Sequence, residues 1–94
     1  MPYRIEYLSE ADRALLSLPR AVRRSVRRRV QALAETSRPA WADYMWGEWE
    51  GYWRFHVGPG AYRVIYTIGD RIRRVLIIRI DHRGRIYQQP PPSR

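Results

Sequence analysis

Arginines, histidines and a tyrosine recur at short intervals in the second half of the chain. The segment WRFHV places Arg54 and His56 two residues apart, which puts both side chains on one face of an extended strand. Arg63 follows after the next turn, and the segment DHRGRIY adds Arg83 and Tyr87. The group holds no carboxylate pair and no serine or cysteine nucleophile with a base, so it favours chemistry on an anionic substrate.

Such a group suits the cleavage of RNA without a metal ion. The reaction needs a base for the 2′-hydroxyl proton, cations for the charge on the phosphorane, and an acid for the departing 5′-oxygen. His56 is the natural base, because imidazole accepts a proton near neutral pH. Arg54 and Arg63 can hold the phosphate through paired hydrogen bonds, and Tyr87 can stack on a base or orient the phosphate. Simple solvation of an exposed arginine-rich strand face is the alternative interpretation.

The charge of the chain favours an acidic partner. Its 94 residues include 18 basic side chains, all of them arginine, and nine acidic ones, giving a formal net charge of +9. A field of this sign concentrates polyanions, and guanidinium groups match the geometry of phosphate. Codon usage could explain the absence of lysine, but it does not explain the excess of positive charge.

The composition also excludes several classes of site. The chain has no cysteine, so it has neither a disulfide framework nor a thiolate zinc site, and its two histidines cannot form a structural metal cage alone. We therefore predict no metal and no cofactor. Charged residues occupy the N-terminal positions where a signal peptide needs an apolar run, and no later stretch is long enough to span a bilayer. We expect a cytoplasmic protein with no membrane partner.

The first half of the chain predicts a strand and two helices. Tyr3 to Leu8 alternates as a half-buried strand does, and Ser9 is a suitable cap for a first helix that Pro19 ends or kinks. A second helix is predicted from about Ala21 to Glu35, with one apolar face. Its other face is a basic ridge of Arg20, Arg23, Arg24, Arg27 and Arg28. This ridge is either solvated, or it lies along phosphates or an acidic protein partner.

From residue 52 onward the pattern has period two. Strands are predicted at Tyr52 to Val57 and Tyr62 to Ile68, joined as a hairpin, and a central strand at Ile72 to Ile80. A short strand is predicted at Arg85 to Tyr87. Residues 88–94, with three consecutive prolines, are predicted to form an extended tail.

This order predicts one α+β domain over residues 1–94. It consists of an N-terminal strand, a helical hairpin, and a three- to four-stranded antiparallel sheet with the helices on one face. Because the tail cannot form a helix, we expect the other sheet face to be open. The loop before the hairpin holds three tryptophans, Trp41, Trp46 and Trp49. We expect them mainly to pack against the core or the sheet edge, and contact with a partner or with bases is the alternative.

These motifs resemble those of the RelE/ParE superfamily of toxins, and especially its RelE branch. The segments GYWRFHV, GAYRVIY and HRGRIY come in the family's order, and LLSLPRAVRRSVRRRV is similar to the family's helical hairpin. The resemblance covers nearly the whole chain. It implies a RelE-like fold and a toxin of a type II toxin-antitoxin system, held inactive by a cognate antitoxin. It also implies that the toxin works as an mRNA interferase that enters the ribosome and cuts the A-site codon.

The resemblance further implies catalytic roles for Arg54, His56, Arg63, Arg83 and Tyr87, which match the family's positions. The first two stand where the archetype has lysines. At the position of Arg83 relatives protonate the leaving group or stabilise the transition state, and we favour the electrostatic role because arginine is a poor acid. The helix ridge would then bind RNA or the ribosome.

Some departures from the family pattern leave alternatives open. The hairpin turn GPGA is longer than usual, so the offset between His56 and Arg63 could differ, and His82 could then be the acid or base. Glu50, like Glu48, stands near the place where some relatives use a glutamate base. The main alternative function is that of a ParE-like inhibitor of DNA gyrase, which hydrolyses nothing. A third is a nucleic-acid-binding module without toxicity.

Overall fold

Two helices and five strands make up the fold, which the computed structural model describes for residues 2–92. In chain order they are β1 (Arg4–Tyr7), α1 (Ser9–Ser17), α2 (Arg20–Ala32), β2 (Asp43–Tyr44), β3 (Trp53–Val57), β4 (Tyr62–Gly69) and β5 (Arg74–His82). A short 3₁₀ helix, Gly47–Trp49, lies between β2 and β3. Neither helix within the described residues has the length and hydropathy that a membrane span requires.

All five strands join one sheet in the order β1-β5-β4-β3-β2. Strands β2, β3, β4 and β5 pair antiparallel, and β1 pairs parallel with β5. The predicted α+β class is therefore confirmed, and β2 is an antiparallel strand that the sequence did not predict. Strand β5 lies between β1 and β4, in the interior of the sheet, as its apolar sequence indicated.

The main core lies between the helices and one face of the sheet, which we call the helix face. Val26 and Val30 of α2 are fully buried, as are Phe55 on β3 and Tyr66 on β4. The apolar stripe of α2 recurs every four residues, so these side chains point to the sheet together. The alternate residues of β3 and β4 project from the opposite side, which we call the outer face.

The outer face is partly covered, so the expectation that it is open was wrong. Ile65 of β4 and Ile78 of β5 are buried there beneath a second apolar cluster. Its other buried members come from the segment before β3 and from the C-terminal turn, and they are Met45, Trp49, Tyr52 and Ile86. Burial of large apolar side chains does not require a helix, because irregular segments can supply them.

Three local predictions were wrong. Ser9 does not cap α1, since the capping position is Leu8 and no side chain bonds the free amides there. Helix α2 ends at Ala32, three residues before the predicted end. Arg85 to Tyr87 lie in a run of turns, because the amides of Arg85 and Ile86 both donate to the carbonyl of His82 (2.9 and 3.0 Å) and not to a neighbouring strand.

The tail prediction falls partly outside the described residues, since Ser93 and Arg94 are not among them. Pro90 to Pro92 have no regular structure. Gln88 belongs to the C-terminal turn, because its amide donates to the carbonyl of Arg85 at 3.0 Å.

A polar clasp of three side chains joins the segment after α2 to the β4–β5 turn. Both terminal nitrogens of Arg38 donate to the carboxylate of Asp70 (3.2 and 2.8 Å), and the hydroxyl of Tyr3 donates to the same group at 2.6 Å. The hydrogen bonds from Arg38 and then from Tyr3 lower the pKa of Asp70 from 3.8 to about 2. The carboxylate therefore remains ionised well into the acid range.

We expect Asp70→Asn to remove part of the acid sensitivity of the fold. Because the pKa of Asp70 is lower in the folded chain, its contribution to stability is complete above pH 3.8 and is lost as the pH falls towards 2. Melting temperatures measured between these limits should fall more steeply for the wild type than for the variant. Parallel curves for the two proteins would show that the clasp contributes nothing to stability.

Candidate active site

A cleft of about 480 Å³ opens on the outer face, at the end of the sheet where the β3–β4 turn and the C-terminal turn meet. The five residues predicted to be catalytic all line it. Its lining consists of Asp43, Arg54, His56, Arg63, Arg83 and Tyr87. The fold therefore brings together side chains from three strands and the C-terminal turn, from Asp43 to Tyr87.

Strands β3 and β4 place the first three of these side chains. His56 is directly opposite Arg63 in the antiparallel register, and Arg54 precedes His56 by two residues on the same face. Phe55 and Val57 are buried on the helix face, so the intervening positions must point outward. Slippage of the strand by one residue would bury a charged side chain, and the core therefore fixes the side to which His56 points.

The β3–β4 turn does not displace His56 from Arg63. Gly58 and Gly60 both have positive φ angles, +72° and +83°, which glycine adopts without steric cost. A guanidinium nitrogen of Arg63 donates to the carbonyl of Gly60 at 2.6 Å and more weakly to that of Tyr62 at 3.4 Å. The turn thus holds Arg63 in one orientation, with its remaining donors available to a ligand.

The C-terminal turn brings the last two predicted residues to the cleft. The backbone amide of Arg83 donates to the carbonyl of Ala61 at 2.8 Å, which anchors the beginning of this turn to the β3–β4 turn. Arg54 donates to the hydroxyl of Tyr87 at 2.8 Å, and the ring of Tyr87 meets Trp49 edge to face. Since this hydroxyl accepts from Arg54, its own proton can be donated to a ligand.

Asp43 is a lining residue that the sequence did not indicate. It lies on the two-residue strand β2, opposite Arg54, and its side chain is exposed. A strand of two residues has no periodicity to detect, and its neighbours were interpreted as a loop. Asp43 adds a carboxylate, and with it a second group that can take up a proton, to a cleft that otherwise holds three arginines.

The comparison with known families decides the identity of the chain. The model of the ParE toxin of type II toxin-antitoxin systems, parDE, matches residues 3–87. The chain is a member of the ParE toxin family. The search of curated proteins found no significant match.

Solved structures from both the RelE and the ParE branches of the superfamily are similar to this toxin. The toxin in the RelBE2 complex of Mycobacterium tuberculosis is 27% identical, with a TM-score of 0.74 over 88% of this chain and 100% of the other. The archaeal RelE-RelB complex of Pyrococcus horikoshii is 26% identical, with a TM-score of 0.71 over 90% and 99% of the two chains. The YoeB/ParE toxin of Agrobacterium tumefaciens shares the fold at 11% identity, with a TM-score of 0.74 over 84% and 96%. With the family model, these likenesses make the chain a toxin of a type II toxin-antitoxin system.

Two candidates for acid or base in the toxin lie outside the cleft lining. His82 pairs with Tyr62 in the register and packs against its ring edge to face at 5.6 Å, on the side of the sheet opposite to His56. Its Nδ1 accepts a hydrogen bond from the amide of Gly84 at 3.2 Å. Glu50 ends the 3₁₀ helix and is not among the lining residues. Neither position favours a direct role in the cleft.

The arginine ridge of the toxin lies on α2, behind the sheet as seen from the cleft. Arg20, Arg24, Arg27 and Arg28 are exposed, and none of them forms an ion pair within residues 2–92. Arg23 is different, because it is half-buried and donates to the carbonyl of Leu16 at 3.1 Å. That bond satisfies a carbonyl in the last turn of α1. The structure therefore separates the ridge from the cleft and gives one of its members a role within the fold.

The cleft of the toxin is electropositive. Its three arginines outweigh the one aspartate, and no ion pair within the described residues ties Asp43 to any of them. In the same part of the chain, no three His, Cys, Asp or Glu side chains lie close enough together to hold a metal ion. The arrangement can bind a phosphate group and offers two side chains, His56 and Asp43, that can exchange a proton with it.

Proposed function

We propose that this toxin is an endonuclease that cuts mRNA on the ribosome, by attack of the ribose 2′-oxygen on the adjacent phosphate. The observation that carries the proposal is the composition of the cleft. An imidazole stands directly opposite an arginine, and two further arginines and a tyrosine hydroxyl line the same space. These are the groups that a phosphoryl transfer without covalent catalysis needs.

The reaction begins with the transfer of the 2′-hydroxyl proton to His56. The 2′-oxygen then bonds to phosphorus while the bond from phosphorus to the 5′-oxygen breaks, and the 5′-oxygen takes a proton from water. His56 afterwards returns its proton to the solvent. The products are a 2′,3′-cyclic phosphate and a 5′-hydroxyl. Asp43 is the second candidate base, because it is the only carboxylate among the side chains that line the cleft.

The arginines stabilise the extra negative charge of the transition state. Arg63 is held by the carbonyl of Gly60, so it does not need to reorganise when that charge develops. Arg54 is half-buried and bonded to Tyr87, which places a cation and a hydroxyl side by side. Arg83 is an exposed residue of the cleft lining and remains charged throughout, which supports an electrostatic role.

We expect mRNA under translation to be cut much faster than free RNA. The residues that line the cleft can bind a phosphate and exchange a proton, and the ribosome would hold the 2′-oxygen in line with the leaving oxygen, since orientation alone can change a rate by several powers of ten. The test is to map mRNA 5′ ends after pulsed expression and in a translating extract. New 5′-hydroxyl ends within codons are the expected result. Equally fast cleavage of naked RNA would contradict the requirement for the ribosome.

The second candidate function is inhibition of DNA gyrase, and the observation in its favour is the match to the ParE family model. Under this alternative the arginines of the cleft would bind a protein or DNA, and His56 would have no chemical role. Purified toxin should then block supercoiling by gyrase and leave translated mRNA intact. The two assays on one preparation distinguish the candidates.

A further inference from the structure

Arg79 is a cation of the outer face that points to the C-terminal turn. It lies on β5 opposite Ile65, which itself faces Arg54 across β3 and β4, so all three belong to one row of the sheet. Its side chain is only half-exposed although it is charged. No acidic group within residues 2–92 forms an ion pair with it.

Backbone carbonyls take the place of an acidic partner. One terminal nitrogen of Arg79 donates to the carbonyls of Ile86 (3.2 Å) and Gln89 (2.8 Å), and the other donates to that of Pro90 (3.1 Å). The guanidinium carbon also lies 5.2 Å from the ring centroid of Trp49. Hydrogen bonds from a charged donor are stronger than those between neutral groups, so three such bonds fix this irregular segment firmly.

Tyr87 lies within the stretch that Arg79 holds. The bonded carbonyls of Ile86 and Gln89 flank it in the chain, and Trp49, on which the guanidinium stacks, also contacts its ring with centroids 5.9 Å apart. The hydroxyl at the far end of that ring accepts the hydrogen bond from Arg54 in the cleft. A continuous set of contacts therefore runs from Arg79 to the candidate site.

We propose that Arg79 is a positioning residue, which clamps the C-terminal turn so that Tyr87 and Arg83 are held in the cleft. The segment needs such a clamp, because Gln88 to Pro90 are exposed and the residues from Pro90 to Pro92 have no regular structure. Beyond the clamp, the hydroxyl of Tyr52 donates to the carbonyl of Pro92 at 3.3 Å. Burial of Ile86 fixes one point of the turn, and the guanidinium of Arg79 fixes the carbonyls on both sides of Tyr87. The kinetic part of this inference rests on the proposed nuclease function, and the structural part does not.

The clamp needs the shape of arginine as well as its charge. A planar fork can bond three carbonyls through two nitrogens while one face rests on an indole, and an ammonium group cannot do both. Arg79→Lys therefore separates two roles. If Arg79 acted only as a cation near the phosphate, lysine would replace it, whereas a clamp should fail with lysine as it does with glutamine.

The first test is amide hydrogen exchange on the free toxin, with Arg79→Lys, Arg79→Gln and the control Arg71→Gln, an exposed arginine of the β4–β5 turn. In both Arg79 variants the amides of Ile86 and Gln88 should exchange about tenfold faster or more, since local opening governs their exchange. Amides within β3 and β4 should be unchanged, which shows that the sheet remains folded. Unchanged exchange at Ile86 and Gln88 would overturn the clamp, whether or not the toxin is a nuclease.

The second test is single-turnover cleavage of mRNA at saturating ribosome concentration. Both Arg79 variants should cleave about 10- to 100-fold more slowly, as expected for misplaced catalytic groups, with little change in ribosome affinity. The control Arg71→Gln should cleave at the wild-type rate. In a Tyr87→Phe background the effect of Arg79→Gln should shrink, because one of the groups that it positions has been removed.

The remaining outcomes each decide one point. A loosened turn with a normal rate would overturn the positioning role, and full rescue by lysine would reduce Arg79 to a simple cation. If the wild-type toxin cleaves no mRNA, the proposed function fails, and the exchange measurements still judge the clamp.

Discussion

His56→Gln should lower the single-turnover rate of mRNA cleavage on the ribosome by about 10²- to 10⁴-fold, the usual contribution of a positioned general base. Glutamine keeps the size and the hydrogen-bonding capacity of the imidazole but does not accept a proton at neutral pH. The contribution of the imidazole to the pH dependence of the rate should disappear with it. The measurement is a pH profile of the rate at saturating toxin, together with ribosome affinity, which should be almost unchanged.

Two companion variants make this result specific to His56. Asp43→Asn tests the other proton acceptor in the cleft. If Asp43→Asn abolishes cleavage and His56→Gln leaves it normal, the base is Asp43. His82→Gln is the matched control, because it changes a histidine that packs on Tyr62 behind the strand. Loss of activity in His82→Gln with a normal His56→Gln would transfer the base to the segment DHRGRIY.

The sequence predicted the faces of β3 and β4 correctly because both strands are long enough to show their period. Phe55 and Val57 alternate with Arg54 and His56, and a strand of five residues with a buried face has one register that avoids burying charge. The same alternation fixed the position of Arg63. For these residues, local pattern and burial give the same answer, and the structure brings them together as expected.

The C-terminal segment was predicted less well because long-range contacts decide its conformation. Arg85 to Tyr87 contain β-branched and aromatic side chains that favour a strand. The actual turn is stabilised by burial of Ile86 against Ile65 and Ile78, and by the bonds that Arg79 donates to its carbonyls. The residues that make these contacts lie outside Arg85 to Tyr87, so the sequence of this segment does not reveal them. Its strand propensity therefore predicted the wrong conformation.

Asp43 and the covered outer face escaped prediction for a related reason. Both depend on residues before β3, where a two-residue strand and a 3₁₀ helix are too short to show periodicity. Trp49 illustrates the ambiguity, since it is nearly fully buried whereas Trp46 is 74% exposed a few residues earlier. Composition predicted that tryptophans of this loop would pack, but it could not say which of them would do so.

Arg63→Ala should lower the single-turnover rate by about a hundredfold or more, comparable with the loss of one donor from an oxyanion hole. The guanidinium is held in place by the turn before the substrate arrives, and its charge is used most when the phosphorane forms. Ribosome affinity should barely change, because Arg63 is held in the cleft by Gly60 and its charge is used mainly in the transition state, not in binding. Single-turnover kinetics and a binding assay on the same ribosomes give the two numbers.

Arg24→Ala should have the opposite effect to Arg63→Ala, since it should change ribosome binding and not the cleavage rate. Arg24 is exposed on the ridge of α2, on the side of the sheet away from the cleft, and it forms no ion pair within the described residues. Its loss should weaken ribosome binding and reduce the salt dependence of binding by about one unit of slope, while the saturated cleavage rate stays intact. Equal effects of Arg63→Ala and Arg24→Ala on binding and on rate would mean that the cleft acts only through its charge.

If Arg63→Ala and His56→Gln both remain fully toxic in cells, catalysis in the cleft is not the cause of toxicity. Inhibition of gyrase then becomes the better account, because it requires a binding surface and no proton transfer.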